Sequence, residues 1–394
     1  MIYFDEMKKR FDFVVLGADG LQGRIAARDL LESGYSVLLC GKSEKEVKKI
    51  KHMFGNYKRI GIKCVDARDV ECVRKCIKRS GADVVVNCVE GDWDLNVLQA
   101  CVAAKVHSLD LGSEIEMTQK QLEMHENLKK KNLVSITGCG SVPGIGNIML
   151  RYAAKKFDKI DTIEVGFSWG SNKKKFVVPF SIESITEEFL EPAPIVENGK
   201  FKYKTPLKTL RTKYHKTIGK QMEFIVRHPE TWTFYHYFKD KGVKNIRFYA
   251  GFPPHSFDKI LTMIELGMAN QIQIDYNGDK VRPVDFLTEV LRDLEVPDGY
   301  KERENLWVWI EGVKNGKRRR IQMECLASTM EGWEDAGCNI DTGFPASIIA
   351  QMIKKGVIRK RGSFAPEGVV PPRLFFDELR KKGMTVLENG RVIK

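Results

Sequence analysis

The sequence predicts an α/β protein in which a parallel sheet flanked by helices is followed by a mainly antiparallel sheet. Three observations support this. From Phe11 to about Thr137, short apolar runs alternate with amphipathic stretches, the pattern of a βαβ series. A glycine-rich turn follows the first apolar run. Beyond Gly138, Asn-Gly pairs typical of hairpin turns occur at 198–199, 277–278 and 315–316.

The elements follow in order from this pattern. The run at 11–17 predicts a first strand, and the stretch at 21–33 predicts a helix that Gly34 ends. The run at 82–88 is almost wholly apolar, as expected of a strand covered on both faces. Further strands are predicted at 35–39, 62–65, 107–111 and 133–137, and helices at 70–80, 95–105 and 118–131. The antiparallel part has predicted strands at 160–167, 271–275, 306–311 and 320–325, and helices at 258–266, 283–294 and 345–355.

The 394-residue chain has a net charge of +13, but acidic residues lie between the basic ones along most of its length. The densest basic runs are at 129–131, 173–175 and 318–320, near predicted helix ends or turns. Aromatic residues are not interleaved with them as in RNA-binding segments, so nucleic-acid binding is not expected. Such a surface attracts small anions, for example phosphates and dicarboxylates.

The cysteines and the hydropathy pattern bear on the compartment. The nine cysteines are odd in number and form no CxxC pair, so they are expected to be free thiols rather than disulfides or metal ligands. An apolar run of about eighteen residues, as a membrane span requires, does not occur. The charged start of the chain is unlike a signal peptide. These features predict a cytoplasmic protein with no metal site.

The glycine-rich turn places Gly17, Gly20 and Gly23 three residues apart where the first strand gives way to a helix. Such glycines allow a tight turn, a close approach of backbone to a pyrophosphate and close helix packing, while the helix N-terminus offers free N–H donors. The alternative is the same fold with an idle loop. The turn predicts a dinucleotide site whose further contacts are Asp19, Leu21 and Gln22.

The corner after the second strand distinguishes the two nicotinamide dinucleotides. An NAD site usually has an acid about twenty residues beyond the glycine turn, which binds the ribose hydroxyls. This chain has Lys42 and Ser43 there, and no acid before Glu44. A lysine and a serine suit a 2′-phosphate, so NADP is predicted and NAD is left open. The alternative is that Lys42 is a solvated loop residue.

Three more positions at strand ends are predicted to line the cofactor. Asp66 follows the third strand and could accept a hydrogen bond from the adenine amino group; an N-cap role is the alternative. Asn87 and Cys88 end the fourth strand, where the crevice of such a sheet opens.

Four later blocks agree with one known family. They are Val85–Asp110, Gly138–Asn147, Ile246–Phe252 and Thr342–Met352. In their order and spacing the chain resembles the saccharopine dehydrogenase-like family, which includes saccharopine reductases, lysine 6-dehydrogenases and carboxynorspermidine dehydrogenases. The resemblance implies a dinucleotide-binding (Rossmann) domain formed by 1–138 and 344–394, with an α+β substrate-binding and dimerisation domain, 139–343, inserted between them. A homodimer through the antiparallel sheet is expected, because such a sheet offers a wide face for a symmetric contact.

The resemblance also implies an activity. The family chemistry is the reversible NAD(P)-dependent oxidation of a C–N bond in an amino acid or amino-acid conjugate, in which a hydride moves between the nicotinamide and an imine carbon. One alternative is a polyamine dehydrogenase of the carboxynorspermidine type, which the basic net charge does not favour. The other is a protein that senses the dinucleotide without turning it over.

Substrate contacts are predicted at the crevice edge. Arg247 is expected to bind a carboxylate, while Cys139 and Gly140 are expected to line the pocket. Asp110, at the end of the fifth strand, is a candidate for binding a substrate ammonium or for catalysis; the alternative is a helix cap. His255 is the other catalytic candidate, because Ala250-Gly251-Phe252 replaces the family's Pro-Gly-His and His255 stands nearby.

Overall fold

The chain forms two large sheets with helices around them. The computed structural model describes residues 11–178, 181–292 and 294–393. Its strands are β1 (Phe13–Leu16), β2 (Val37–Gly41), β3 (Ile60–Cys64), β4 (Val84–Asn87), β5 (His107–Asp110), β6 (Val134–Ile136), β7 (Lys159–Ser171), β8 (Ala193–Glu197), β9 (Lys200–Lys204), β10 (Arg211–His215), β11 (Gly219–Ile225), β12 (Asn245–Phe252), β13 (Ile274–Tyr276), β14 (Asp279–Val281), β15 (Glu302–Lys314), β16 (Lys317–Ser328), β17 (Gly362–Phe364), β18 (Thr385–Glu388) and β19 (Arg391–Val392). Its helices are α1 (Leu21–Glu32), α2 (Glu44–Phe54), α3 (Val70–Ser80), α4 (Asp94–Ala104), α5 (Ile115–Glu123), α6 (His125–Lys130), α7 (Ile145–Ala154), α8 (Ile182–Leu190), α9 (Glu230–Phe238), α10 (Pro254–Glu265), α11 (Pro283–Arg292), α12 (Ile340–Lys354), α13 (Pro366–Val369) and α14 (Pro372–Lys381).

The first sheet is parallel, with the strand order β17-β6-β5-β4-β1-β2-β3. Every residue of the central strands β1 and β4 is buried, as expected of apolar strands covered on both faces. From β1 the chain builds β2 and β3 on one side, then β4, β5 and β6 on the other. The strand order therefore reverses between β1 and β4, and ligands of such sheets bind in the crevice at the carboxyl ends of those strands.

The second sheet has ten strands, and its main path runs β10-β11-β12-β7-β15-β16-β18-β19. The pair β12–β7 is parallel, and the other pairs described in this sheet are antiparallel. The fold class predicted from the sequence is therefore confirmed. Among the described residues, no helix is both long and apolar enough to cross a membrane.

Two helix predictions were wrong in detail. The helix predicted at 118–131 is divided into α5 and α6, which meet at Met124. The helix predicted to follow Gly343 begins at Ile340 and contains Pro345. Gly343 does not end a loop there; a Cβ atom on it would lie 2.4 Å from Ile25 Cγ2, so the glycine lets α12 pack closely against α1.

The C-terminal part contributes to both sheets. Helix α12 packs against α1, and β17 extends the parallel sheet beside β6. Strands β18 and β19 instead extend the ten-stranded sheet beside β16. Side chains of both sheets share one apolar cluster, from Phe13 in β1 to Phe248 in β12. The domain boundaries predicted at 138 and 344 stay a prediction. The C-terminal part does not return to the parallel sheet as a whole, because β17 joins that sheet while β18 and β19 join the ten-stranded sheet.

Candidate active site

The glycine turn closes tightly at the carboxyl end of β1. Gly17 has a φ of +70°, and a Cβ atom on it would lie 2.6 Å from Cys88 O. A Cβ atom on Gly23 would lie 2.0 Å from Gly17 O. Any larger residue would push the turn away from β4 or α1, so both positions require glycine. The N-terminus of α1 thus begins at the crevice, where its free N–H groups suit a pyrophosphate.

A cavity of about 380 Å³ lies on the β2–β3 side of this turn. The predicted cofactor contacts that line it are Gly17, Asp19, Gly20, Lys42, Asp66 and Cys88. Gln22 lines the neighbouring cleft instead. The remaining predicted contacts, which line neither space, are Leu21, Gly23, Ser43 and Asn87. The glycine turn, the start of α1 and the basic corner beside them fit the adenosine and pyrophosphate half of NADP.

The corner that would meet the ribose contains charges of both signs. Lys42 Nζ is 58% exposed and lies 3.9 Å from Glu90 Oε1. Arg68 also lines the cavity, and its guanidinium holds Asp66 at 2.6 Å, which lowers the pKa of that carboxyl. The carboxylate of Glu46 accepts a hydrogen bond from the Lys42 N–H. Sequence reasoning missed Arg68 and Glu46, because each reaches the corner from a neighbouring turn.

Three of the predicted contacts have structural partners. Ser43 accepts a hydrogen bond from Glu46 N at 3.3 Å and so caps α2. Asn87 Nδ2 donates to Asp94 Oδ1 at 2.6 Å behind the crevice. The N-cap alternative for Asp66 is wrong, since Asp69 caps α3. A contact between Asp66 and the adenine stays a prediction.

Asp110 is buried and surrounded by donors. Its carboxylate accepts hydrogen bonds from Gln121 Nε2 at 2.6 Å, Thr137 Oγ1 at 2.9 Å and the N–H groups of Gly112 and Gly138, each at 3.0 Å. Burial raises the pKa of Asp110, and these hydrogen bonds oppose the rise. The arrangement joins the loops after β5 and β6, which favours a structural role over a catalytic or substrate-binding one. Asp110 does not cap α5, which begins at Ile115.

A second cavity, of about 230 Å³, lies between the two sheets on the other side of the glycine turn. Gln22 and the loops after β5 and β6 form its floor, including Gly140 and Ser141. Phe167 and Trp169 of β7 form one wall, with the start of α12 opposite. Because the adenosine half of a dinucleotide lies toward β2 and β3, its nicotinamide half would lie at this cleft.

Carboxyl groups from three elements line the cleft, and no lysine or arginine is among its described lining residues. Glu188 comes from α8, Glu302 and Glu304 from β15, and Asp341 from α12. Burial raises the pKa of Glu188 to about 8 and that of Asp341 to about 7. Burial and the neighbouring Asp341 carboxyl raise the pKa of Glu304 well above its usual range. These groups would be stabilised by a cationic ligand.

Some polar atoms that line this cleft are buried without a hydrogen-bond partner among the described residues. In the part of the chain that the structure describes, no donor reaches Glu188 Oε2 and no acceptor receives the indole N–H of Trp169, whereas Asp341 is hydrogen-bonded to the Glu304 carboxyl. Glu302 is also partnered, because its Oε2 accepts the N–H of Cys338 at 3.0 Å. Buried polar groups are nearly always hydrogen-bonded in folded proteins. The unpartnered atoms therefore indicate where a ligand would bind.

The predicted substrate contacts are mostly elsewhere. Of these residues only Gly140 lines the cleft; Cys139 is fully buried, with its thiol donating to Ile136 O at 3.3 Å. Arg247 lies 3.5 Å from Glu164 of β7, and alternation along β12 places it on the face opposite Phe248. His255 does not line the cleft, and its Nε2 is buried without a partner. The structure gives no support to substrate contacts by Arg247 or His255.

Sequence reasoning missed His228, which lines the cleft. Its Nδ1 is hydrogen-bonded to the carboxylate of Glu230, a buried residue at the start of α9. The ring stacks on Phe248, with 4.0 Å between ring centroids. His228 belongs to no recognisable motif, and its position depends on the packing of β12 against the start of α9.

Comparison with known proteins identifies the family. Residues 13–136 match the family model described as the Saccharopine dehydrogenase NADP binding domain, and residues 114–384 match the Saccharopine dehydrogenase C-terminal domain. The chain belongs to the saccharopine dehydrogenase family. The predicted family is thereby confirmed, as is the predicted class of enzyme: this family member is an NAD(P)-dependent oxidoreductase that acts on C–N bonds.

Curated relatives and a solved structure agree. The chain is 24% identical over 361 residues to a carboxynorspermidine synthase of Vibrio alginolyticus, covering 87% of this chain and 86% of that protein. It is 24% identical over 377 residues to a carboxyaminopropylagmatine dehydrogenase of Synechocystis, covering 91% and 92%. An apo saccharopine dehydrogenase (L-Glu forming) from Saccharomyces cerevisiae has the same fold, with a TM-score of 0.76, 11% identity and coverage of 98% and 100%.

Proposed function

We propose that this member of the saccharopine dehydrogenase family is an NADP-dependent oxidoreductase for a carboxylated, polyamine-type substrate. Such a substrate carries at least one ammonium group besides the nitrogen of the reacting C–N bond. The observation that carries the proposal is the acidic cleft, with Glu188, Glu302, Glu304 and Asp341 and no basic lining residue.

The net charge of +13 argued against a polycationic substrate. Charges on a protein surface, however, are screened over about 8 Å at physiological ionic strength. The carboxyl groups of the cleft would meet the substrate at contact distance; Glu302 and Asp341 are buried, and Glu188 and Glu304 are half-buried. Local charge in the cleft therefore outweighs the net charge, and it favours the polyamine-type substrate over an amino-acid conjugate with several carboxylates.

The relatives support the same class of substrate. Carboxynorspermidine and carboxyaminopropylagmatine, the compounds in their names, are both carboxylated amines. A single substrate carboxylate would find donors in the Trp169 indole N–H and the hydroxyl of Ser141, which line the cleft.

NADP is proposed because two cationic side chains line the adenosine cavity. Lys42 and Arg68 would hold the 2′-phosphate, while the glycine turn and the N-terminus of α1 would hold the pyrophosphate. When bound, NADPH supplies a hydride to the imine carbon. Glu46 is positioned to accept a hydrogen bond from the ribose, which would favour NAD, so the charge balance at this corner decides between the two.

The test uses the purified full chain and the oxidation of NADPH. The substrates are the imines that 1,4-diaminobutane or butylamine forms with an aldehyde that carries a carboxylate. The diamine should have a kcat/KM about 100-fold above that of the monoamine, because each charged hydrogen bond contributes about 1.5–3 kcal/mol. Equal values for the two amines, or faster turnover of lysine with 2-oxoglutarate, would contradict the proposal.

Three further properties belong to the same proposal. The enzyme would be a homodimer through the ten-stranded sheet, with domain boundaries at 138 and 344. It would be cytoplasmic, a location supported by the nine free thiols. Light scattering on a gel-filtration column should give twice the mass of the 45.0 kDa chain; the mass of a single chain would exclude the dimer.

A further inference from the structure

The reaction needs one proton besides the hydride, and the cleft contains one histidine among its described lining residues, His228. The imidazole is fixed on two sides. Its Nδ1 meets the carboxylate of Glu230, and its ring stacks on Phe248 at an angle of 15°. Because Glu230 engages Nδ1, Nε2 is the ring nitrogen left for a ligand of the cleft that His228 lines. A histidine held in this way by a carboxylate has the arrangement of a general acid or base.

The other titratable groups around His228 are also defined. Glu230 contacts it from α9; burial raises the pKa of Glu114, at the N-terminus of α5, and the nearby His228 opposes this rise. Glu188 of α8 lines the same cleft. The preceding residue, Arg227, is paired with Glu116 and, at 3.5 Å, with Glu191. The charged groups around His228 are thus mainly acidic.

The remaining candidates for proton transfer are less suitable. Asp110 is engaged by four hydrogen bonds, and His255 lies outside the cleft. Asp341 and its acidic neighbours are the groups that the proposed function assigns to the substrate ammonium. A carboxylate engaged with a cation is a weaker base, since the cation stabilises its charged form.

We propose that His228 is the general acid and base of the reaction and that Glu230 is its positioning residue. The inference rests on the proposed function, because it concerns the nitrogen of the same C–N bond.

The proposed step balances in both directions. In reduction, the imine carbon gains a hydride from NADPH and the π-electron pair of the C=N bond moves to nitrogen. His228, as the imidazolium, gives its Nε2 proton to that nitrogen, which leaves a secondary amine and a neutral imidazole. Water entering the cleft restores the proton. In oxidation, neutral His228 takes the proton from the amine nitrogen as the C=N bond forms.

The first test compares His228→Gln with the wild type in imine reduction. We expect kcat to fall about 100- to 10,000-fold, the range of general acid catalysis, while the dissociation constant for NADPH changes less than twofold. Wild-type kcat/KM should decrease at high pH as His228 loses its proton, and the variant should lose this pH dependence. Glu230→Gln should reduce kcat about tenfold with little change in KM, because the imidazole loses the carboxylate that orients it.

His215→Gln is a matched control. His215 is also a buried histidine paired with a glutamate, Glu223 at 2.5 Å, but it packs against Trp307 and does not line the cleft. Its replacement should leave kcat and the pH profile within threefold of the wild type. Equal losses in the two variants would overturn the inference, because they would indicate a structural role.

A second readout needs neither cofactor nor turnover. In the cofactor-free protein, ¹⁵N NMR of the histidines should show His228 with its proton on Nδ1 when neutral, because Nδ1 faces Glu230. Addition of 1,4-diaminobutane should shift this signal, and His228→Gln should remove it. A neutral form with the proton on Nε2 would overturn the inference. So would an active wild type with an unchanged His228→Gln variant, whereas a wild type inactive with every amine would overturn the proposed function and this inference together.

Discussion

The two ligand spaces of this enzyme differ in charge although they share the glycine turn. The adenosine cavity presents exposed Lys42 and Arg68 beside the N-terminus of α1, and four acidic residues also line it: Asp19, Glu46, Asp66 and Glu90. The cleft presents buried carboxyl groups with no basic residue among its described lining. Gln22, in the first turn of α1, lines the cleft, and its Nε2 donates at 2.8 Å to Oδ1 of Asn339, another lining residue. One short stretch of chain thus separates a cavity with charges of both signs from a cleft whose charged lining residues are acidic.

The difference shows why net charge need not describe the charge that a ligand meets inside the cleft. The net charge of +13 is the excess of lysine and arginine over aspartate and glutamate in the whole chain, and it does not describe the residues that line a pocket between the two sheets. Burial also strengthens the attraction of the cleft carboxylates for a cation, because a carboxylate away from water is strongly stabilised when it is paired with a cation.

The largest expected effect comes from removing a cleft carboxylate. Asp341→Asn should reduce the diamine-dependent kcat/KM by about 100-fold, because a buried charged interaction is worth about 3 kcal/mol. NADPH binding should stay within twofold, since Asp341 does not line the adenosine cavity. Steady-state kinetics with a fluorescence titration of NADPH would measure both. An equal loss of both affinities would show that the two spaces are not independent.

The reciprocal change is Lys42→Asp. It should weaken NADPH binding by about 30-fold, because a lysine that meets the 2′-phosphate is replaced by a repelling charge, roughly 2 kcal/mol. NADH binding should change less than threefold, and KM for the diamine should not change. Similar losses for NADPH and NADH would refute the 2′-phosphate contact. Lys45→Asp is the matched control, because it makes the same change of charge about one helical turn away at a residue that does not line the cavity.

A change of pH should affect diamine binding in the cleft more than NADPH binding in the adenosine cavity. Burial raises the pKa of Asp341 to about 7 and that of Glu188 to about 8, so both must lose a proton to bind an ammonium group. The diamine itself stays charged, since an alkyl ammonium has a pKa of about 10. Diamine binding should therefore tighten about tenfold between pH 6 and pH 8, measured by calorimetry. Glu188→Gln should flatten this dependence, and a steeper one in the variant would contradict the assignment.

The smallest expected effect concerns the hydrogen bond between Gln22 and Asn339 in the cleft. Gln22→Ala removes the hydrogen bond to Asn339 and should lower the free energy of unfolding by about 1 kcal/mol. Urea denaturation would measure it. Gln99→Ala, on the exposed side of α4, is the control and should change stability by less than about 0.5 kcal/mol. Equal free energies of unfolding for the two variants would indicate that the hydrogen bond between Gln22 and Asn339 does not contribute to stability.

Much of the crevice was predictable because its signals are local. Gly17, Gly20 and Gly23 lie within one turn, and strand alternation and helix periodicity are properties of short windows. The cleft was not predictable in this way. Glu188, His228, Glu304 and Asp341 come from segments up to about 150 residues apart in the sequence, and no local pattern relates them. Arg247 shows the same limit, because the face of β12 on which a residue lies depends on the register of the strand.

The sequence by itself determined the parallel sheet, the position of the dinucleotide turn and the family, because each depends on local geometry or on a run of matching residues. Only the tertiary structure decided the sign of the charge in the substrate cleft, the engagement of Asp110 and the pairing of His228 with Glu230. These depend on which residues are buried together when the two sheets pack. Burial changes the energy of a charge far more than its position along the chain does.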